Sequence, residues 1–290
     1  LFYYDDGEII EENPVHVSPY LIGTSKPLPI VRRTSKLLNN LPRMPWGTQP
    51  IDGGYYIFTD KEKKEFLDYE PNAEPFFKPF VGAEELLHGN IRSILSLRDI
   101  KPNELRRLSN VMKRVNAVKE YRLKSKRKDT RELAKTPTLF AFDTIPKEPF
   151  LIIPQVTSEK REYIPMAYMK PPTIPSNLVS IVPNASIELF GLLTSKMHMI
   201  WTKTLCGRLE SRFRYSASVV YNTFPTPKVK LDSLKKHAQK ILDIRKEYSD
   251  ATLADLYDPL AMPPDLKKAH ENLDNAVDKL YRKKPFTFEH

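Results

Sequence analysis

Proline constrains this chain more than any other residue: 26 of its 290 positions carry one, against nine glycines. Each proline fixes φ and removes a backbone donor, so this ratio suits short, stiff, extended connections. It also disfavours glycine-rich phosphate loops. The punctuation is uneven. Residues 1–40, with Asn13-Pro14, Ser18-Pro19, Lys26-Pro27 and Leu28-Pro29, show no helical period and read as an extended lead-in. After Pro227 the pattern turns charged and amphipathic over 231–247 and 264–282, which predicts a small helical subdomain.

Between these ends the pattern is mixed. Gly53-Gly54 leads into a predicted strand at 55–58, and Thr59 with Glu62 forms a capping box for a helix. A strand is expected at 91–97. Pro102 opens a long helical stretch with Leu108, Val111, Val115 and Val118 on one face and Lys113, Arg114, Lys119 and Arg122 on the rest. Asp129 and Glu132 form a second capping pair. Strands are predicted at 139–142, 150–153, 163–169, 178–182 and 219–221. One helix is expected from Ser186 to Leu205, with Gly207 as its C-cap. The fold class is α+β, a mixed sheet-and-helix domain followed by the all-α end.

The charge is local. From Arg106 to Arg131 there are eleven Lys or Arg against two acidic residues, while the rest of the chain is nearly balanced within a total of +10. Such a stripe is the usual footprint of a polyanion partner. The lone Cys206 excludes an internal disulfide and fits a reducing, cytoplasmic setting. No apolar run reaches membrane-spanning length.

Residues 207–216 carry the most specific pattern. Arg208, Glu210, Arg212 and Arg214 alternate, and in one extended segment they would share a face, with Leu209, Phe213 and Tyr215 opposite. Arginine donates twice to guanine and a carboxylate accepts from the cytosine amino group, so this face suits base reading. The plainer alternative is a surface ion pair between Glu210 and Arg212. Lys124, Lys126, Arg127 and Lys128 suit phosphates, or are a solvated loop. His198 reads as a core histidine and Cys206 as a structural thiol; Trp46 and Trp201 read as core or interface residues. Neither Pro171-Pro172 nor Pro263-Pro264 sits in the polar-Pro-Pro-aromatic setting of amino methylation. Glu62-Lys63-Lys64 with Asp52 reads as a cap and a turn rather than a nuclease site.

Several segments resemble the target-recognition domain of MmeI-like (type IIL) restriction–modification enzymes. They are Asn40-Leu41-Pro42-Arg43-Met44 with Pro50-Ile51-Asp52-Gly53-Gly54, Glu70-Pro71, Phe80-Val81-Gly82-Ala83-Glu84-Glu85, Ser158-Glu159-Lys160-Arg161-Glu162-Tyr163-Ile164-Pro165 and, above all, residues 193–225. The resemblance implies a lead-in at 1–39 from a methyltransferase domain of the same polypeptide, a DNA target-recognition domain at 40–227 and a helical C-terminal domain at 228–290. It implies double-stranded DNA as partner, with Glu210, Arg212, Arg214 and Asn177 on bases, Asn177 being otherwise a plain turn residue after Pro175. The basic charge assigns Arg208, Lys113, Arg114, Lys124, Lys126, Arg127 and Lys128 to the DNA backbone. The resemblance further implies no cofactor in this stretch, and a parent adenine-N6 methyltransferase using S-adenosylmethionine, with Mg²⁺ where a nuclease is fused. The chain departs from the family pattern at 92–97, which lacks a Trp-rich version, and at 54–58. A basic module for an acidic protein or RNA is the alternative from charge alone.

Overall fold

A computed structural model describes residues 2–5, 8–11, 13–17, 23–24 and 41–283. The expected lead-in therefore lies largely outside the described residues, as do Asn40 and the final seven positions. What is described of it is two short antiparallel pairs, β1 (Phe2–Asp5) with β2 (Glu8–Glu11) and β3 (His16–Val17) with β4 (Gly23–Thr24).

A four-stranded sheet organises the first half, in the order β11 (Ile174–Pro175), β6 (Phe77–Val81), β7 (Arg92–Leu95), β5 (Ile57–Phe58). Thr59 and Glu62 do form a capping box, starting α1 (Asp60–Tyr69). Phe58, Phe66 and Phe77 meet edge to face, with centroids 5.0–5.8 Å apart. Against this aromatic floor lies α4 (Ser109–Leu123), through Val111, Val115 and Val118. Helix α2 (Ala83–His88) and the single turn α3 (Pro102–Leu105) connect these elements.

The long helix expected from Pro102 breaks before Ser109. The carboxylate of Glu70 takes over there, accepting from the backbone N–H of Asn110 at 3.0 Å and of Val111 at 2.8 Å. It supplies from 40 residues away the cap that the local sequence lacks. Beyond α4, α5 (Lys128–Glu132) has Arg127 rather than Asp129 at its N-cap.

The second half is built on β8 (Phe150–Pro154), fully buried between β10 (Ala167–Met169) and β12 (Val179–Pro183). A further small sheet runs β13 (Gly207–Leu209), β14 (Arg212–Arg214), β9 (Val156–Thr157). The expected single helix from Ser186 is two, α6 (Ile187–Leu193) and α7 (Lys196–Leu205). Ser195 separates them, its hydroxyl accepting from the His198 N–H. Cys206, in extended conformation, ends α7, and Gly207 opens a strand instead of capping the helix. Residues 217–221 form a π-helical turn rather than a strand, and 139–142 retain only a bridge from Phe142 to Gln49.

The C-terminal helices α8 (Lys235–Glu247) and α10 (Pro264–Tyr281), with the turn α9 (Leu253–Leu256) between them, share one core with α6, α7 and β8. Leu266, Ala269, Leu273 and Val277 mark the buried stripe of α10. Gly191 lets this contact close: a Cβ there would lie 3.1 Å from that of Ala238.

Candidate nucleic-acid interface

The 207–216 segment reverses on itself. Glu210 adopts a left-handed φ of 57°, and the register pairs Gly207 with Arg214, Arg208 with Phe213 and Leu209 with Arg212. Directly paired residues share a face, so the four charged side chains do not form one row. Arg212 and Arg214 do share the exposed face, joined there by Leu209. Arg208 lies on the other side, its guanidinium 4.0 Å from the Phe213 ring centroid. Phe213 and Tyr215 are core, as their alternation predicts.

The turn also makes the ion pair that an extended strand would not. Arg212 donates from Nη2 to Oε2 of Glu210 at 2.7 Å, both side chains largely in solvent. Glu159 approaches the same tip. Its carboxyl is held below the ordinary range by its own backbone N–H, by the Ser211 hydroxyl and more weakly by Lys160 and Arg212. The hairpin tip thus holds the exposed Arg212 guanidinium on Glu210, with the Glu159 carboxylate beside it on the Ser211 hydroxyl.

What fixes the hairpin lies beneath it. Phe213 pairs with Thr157 of β9, and Tyr215 shares a 3.0 Å hydrogen bond with Nε2 of buried His198. Burial pushes the His198 pKa down to about 3, so the ring is neutral and structural. Burial pushes the Cys206 thiol up, against the pull of Arg208, which lowers its thiolate fraction.

Asn177 sits in a tight turn: Val179 N–H donates to Ser176 O at 3.2 Å and Leu178 N–H to the Ser176 hydroxyl at 3.2 Å. Along this turn runs the 45–49 segment, with Gly47 N–H on Val179 O at 3.0 Å and Thr48 N–H on Pro175 O at 2.7 Å. A Cβ on Gly47 would fall 2.2 Å from Ser176 O, so no side chain fits there. Gln155 completes the junction. Its backbone N–H donates to Leu178 O, and its carbonyl accepts from Tyr215 N–H at 2.8 Å, tying the Asn177 turn to the arginine hairpin.

Two open clefts of about 640 Å³ flank this junction. The first is lined by Asn177, Gln49, Gly53, Tyr121, Lys124 and Arg127. The second is lined by Trp46, Gln155, Ser180, Arg214, Ser216 and Asn222. Residues 44–51 contribute to both.

Arg122, grouped with the surface cations of α4 on spacing alone, is wholly buried and clamps the first cleft. Its guanidinium donates to the carbonyls of Pro50, Ile51, Leu133, Thr136 and Leu139 at 2.8–3.1 Å. All five of its N–H donors are used. The clamp fixes α4 to the 50–54 turn, where Gly53 at φ 66° passes against the Tyr121 ring. The other cations divide. Lys124, Lys126, Arg127 and Lys128 are exposed, and Lys113 is exposed with Nζ on Asn110. Arg114 is half-buried, 4.7 Å from the Phe58 ring centroid and donating to Tyr55 O. Arg114 and Arg208 are therefore held by rings of this chain, and the loop cations are free to meet a ligand.

The structure thus places Asn177 with Lys124 and Arg127, and joins that cleft to Arg214 through the 44–51 segment and Gln155. Sequence reasoning missed Gln49, Gln155 and the exposure of Trp46, none of which carries a charge or spacing signal.

Comparison with known proteins fits this geometry. The family described as MmeI, target recognition domain, matches residues 25–228, and MmeI, C-terminal domain, matches residues 226–290. The chain belongs to the MmeI family. It is 38% identical over 274 residues to DNA methyltransferase A of Bacillus subtilis (strain 168), covering 93% of this chain and 31% of that protein. It superposes with a TM-score of 0.93 and 38% identity on the type IIL restriction–modification enzyme MmeI, solved in complex with DNA, covering 99% of this chain and 39% of that one. The chain spans about a third of the length of these relatives. No described helix is long and apolar enough to cross a membrane.

Proposed function

We propose that this chain reads a specific double-stranded DNA sequence on behalf of a larger DNA-modifying polypeptide. The observation that carries the reading is the match of nearly the whole chain to an MmeI-family enzyme solved on DNA. The arrangement of exposed cations, amides and the arginine hairpin around two joined clefts supports it.

Labour is divided. Lys124, Lys126, Arg127, Lys128 and Lys113 neutralise phosphates, which sets affinity and its salt dependence. Arg208 and Arg114, stacked on rings of this chain, reach phosphates through the N–H donors not already given to Lys203 O and Tyr55 O. Glu210, Arg212, Arg214 and Asn177 read bases. With Glu210 accepting from a cytosine amino group and Arg212 donating to the paired guanine, one C·G pair is read from both strands. Their mutual ion pair does not forbid this, because an exposed pair of this kind contributes only about 0–1 kcal/mol. Asn177 suits adenine, which its amide bonds twice in the major groove.

In this reading the chain performs no chemistry. The polypeptide that carries it supplies an adenine-N6 methyltransferase domain using S-adenosylmethionine, alone or fused to a Mg²⁺-dependent endonuclease. The two relatives, one a methyltransferase and one a restriction–modification enzyme, bracket those parents. Selection from a pool of randomised duplex DNA tests the proposal. An enriched motif supports it; absence of enrichment at every salt concentration returns the basic stripe to a protein- or RNA-binding role.

A further inference from the structure

Three large apolar side chains stand in solvent at the junction of the two clefts: Trp46 at 53% exposure, Phe142 at 50% and Leu178 at 57%. Single exposed apolar residues are ordinary on protein surfaces. Trp46 and Phe142 are neither single nor loosely held. The Trp46 and Phe142 rings pack with centroids 5.9 Å apart at 54°. Their backbones are pinned by bridges from Trp46 to Ser180 and from Gln49 to Phe142, the latter with hydrogen bonds of 2.9 and 3.1 Å. The bare Gly47 brings the segment that carries Trp46 down onto the Ser176 backbone.

Their surroundings say what they meet. Trp46 lines the cleft of Arg214 and Gln155, and its segment continues to Gln49 in the cleft of Asn177, Lys124 and Arg127. An apolar ridge between groups suited to bases and phosphates has no use for a phosphate. In the major groove the apolar group on a base edge is the 5-methyl of thymine. We propose that Trp46, backed by Phe142, is a specificity-determining contact that packs against a thymine methyl between the polar base readers. This rests on the DNA-reading function proposed above and adds an apolar component to its code.

The test uses the 290-residue chain and the duplex enriched from a random pool. Trp201→Phe leaves Trp46 as the sole tryptophan, since the chain has two. Duplex binding is followed separately by the anisotropy of a labelled strand. Saturation should quench Trp46 emission and protect it from acrylamide. Trp46→Ala should weaken binding on the order of tenfold, the scale of one good base contact. Replacing thymine by uracil at the contacted position should weaken the wild type and leave Trp46→Ala unaffected. This cycle keeps Trp201 in place and decides the matter even if Trp201→Phe does not fold. A bound duplex with Trp46 still accessible overturns the proposal, as does every uracil substitution weakening both proteins alike. Protection of Trp46 without DNA that is lost on dilution assigns the ridge to a second copy of the chain and also overturns it. Failure to enrich any duplex removes the DNA-reading function itself, a distinguishable result.

Discussion

Replacing Arg212 by alanine separates base reading from mere attraction to DNA. The fold should barely notice the change. The side chain is 46% exposed, and its partner Glu210 is 77% exposed. An ion pair this open contributes about 0–1 kcal/mol, so the melting midpoint stays within a few degrees. Binding responds differently. Loss of a bidentate contact to guanine costs about 1–3 kcal/mol, or roughly 5- to 150-fold in affinity. That loss belongs to one base pair. In competition against a panel of duplexes carrying each single-pair substitution, the variant should bind the cognate more weakly and no longer discriminate at that position. Discrimination elsewhere should persist. A uniform loss over all duplexes, with the salt slope falling by about one, would place Arg212 on a phosphate and refute its assignment.

Lys126→Ala should do what Arg212→Ala does not: weaken every duplex alike and lower the slope of log affinity against log salt by about one. Arg122→Lys should destabilise the fold by about 3–5 kcal/mol in urea titration, because an ammonium cannot replace five planar donors to buried carbonyls; a loss under 1 kcal/mol would refute the clamp. Asp274 carries a pH prediction. Burial raises its carboxyl from 3.8 to about 6, against hydrogen bonds from Lys196 N–H and the Tyr163 hydroxyl that lower it. A carboxyl raised on folding favours the folded state fully below about pH 4, and that advantage is lost as pH rises through 6. Asp274→Asn should therefore gain on the wild type by up to about 3 kcal/mol between pH 4 and 7; a difference constant with pH would refute the assignment.

How much of this was legible in the sequence depends on how local each cause is. The Thr59–Glu62 box, the stripes of α4 and α10 and the inward Phe213 and Tyr215 arise from neighbours in the chain, and periodicity finds them. The breaks do not. Helix α4 begins where Glu70 reaches its N–H groups, and α6 and α7 part where Ser195 caps the second. Strand β6, with Pro79 inside it, carries no readable alternation. The alternating charges of 207–216 read as one face because nothing in the spacing announces Glu210 in a left-handed turn. The hairpin still leaves Arg212 and Arg214 outward together, while Arg208 and Arg122 turn to a ring and to carbonyls. Spacing cannot distinguish a cation that serves the fold from one that serves a ligand; a count of its partners can.

The most direct measurement is a parallel selection of randomised duplex with the wild type and with Glu210 and Arg212 exchanged (Glu210→Arg with Arg212→Glu). If the hairpin tip reads one base pair, both proteins enrich the same motif except at a single position, where C·G becomes G·C. Identical motifs from both, or two motifs differing at several positions, would contradict base reading by this pair.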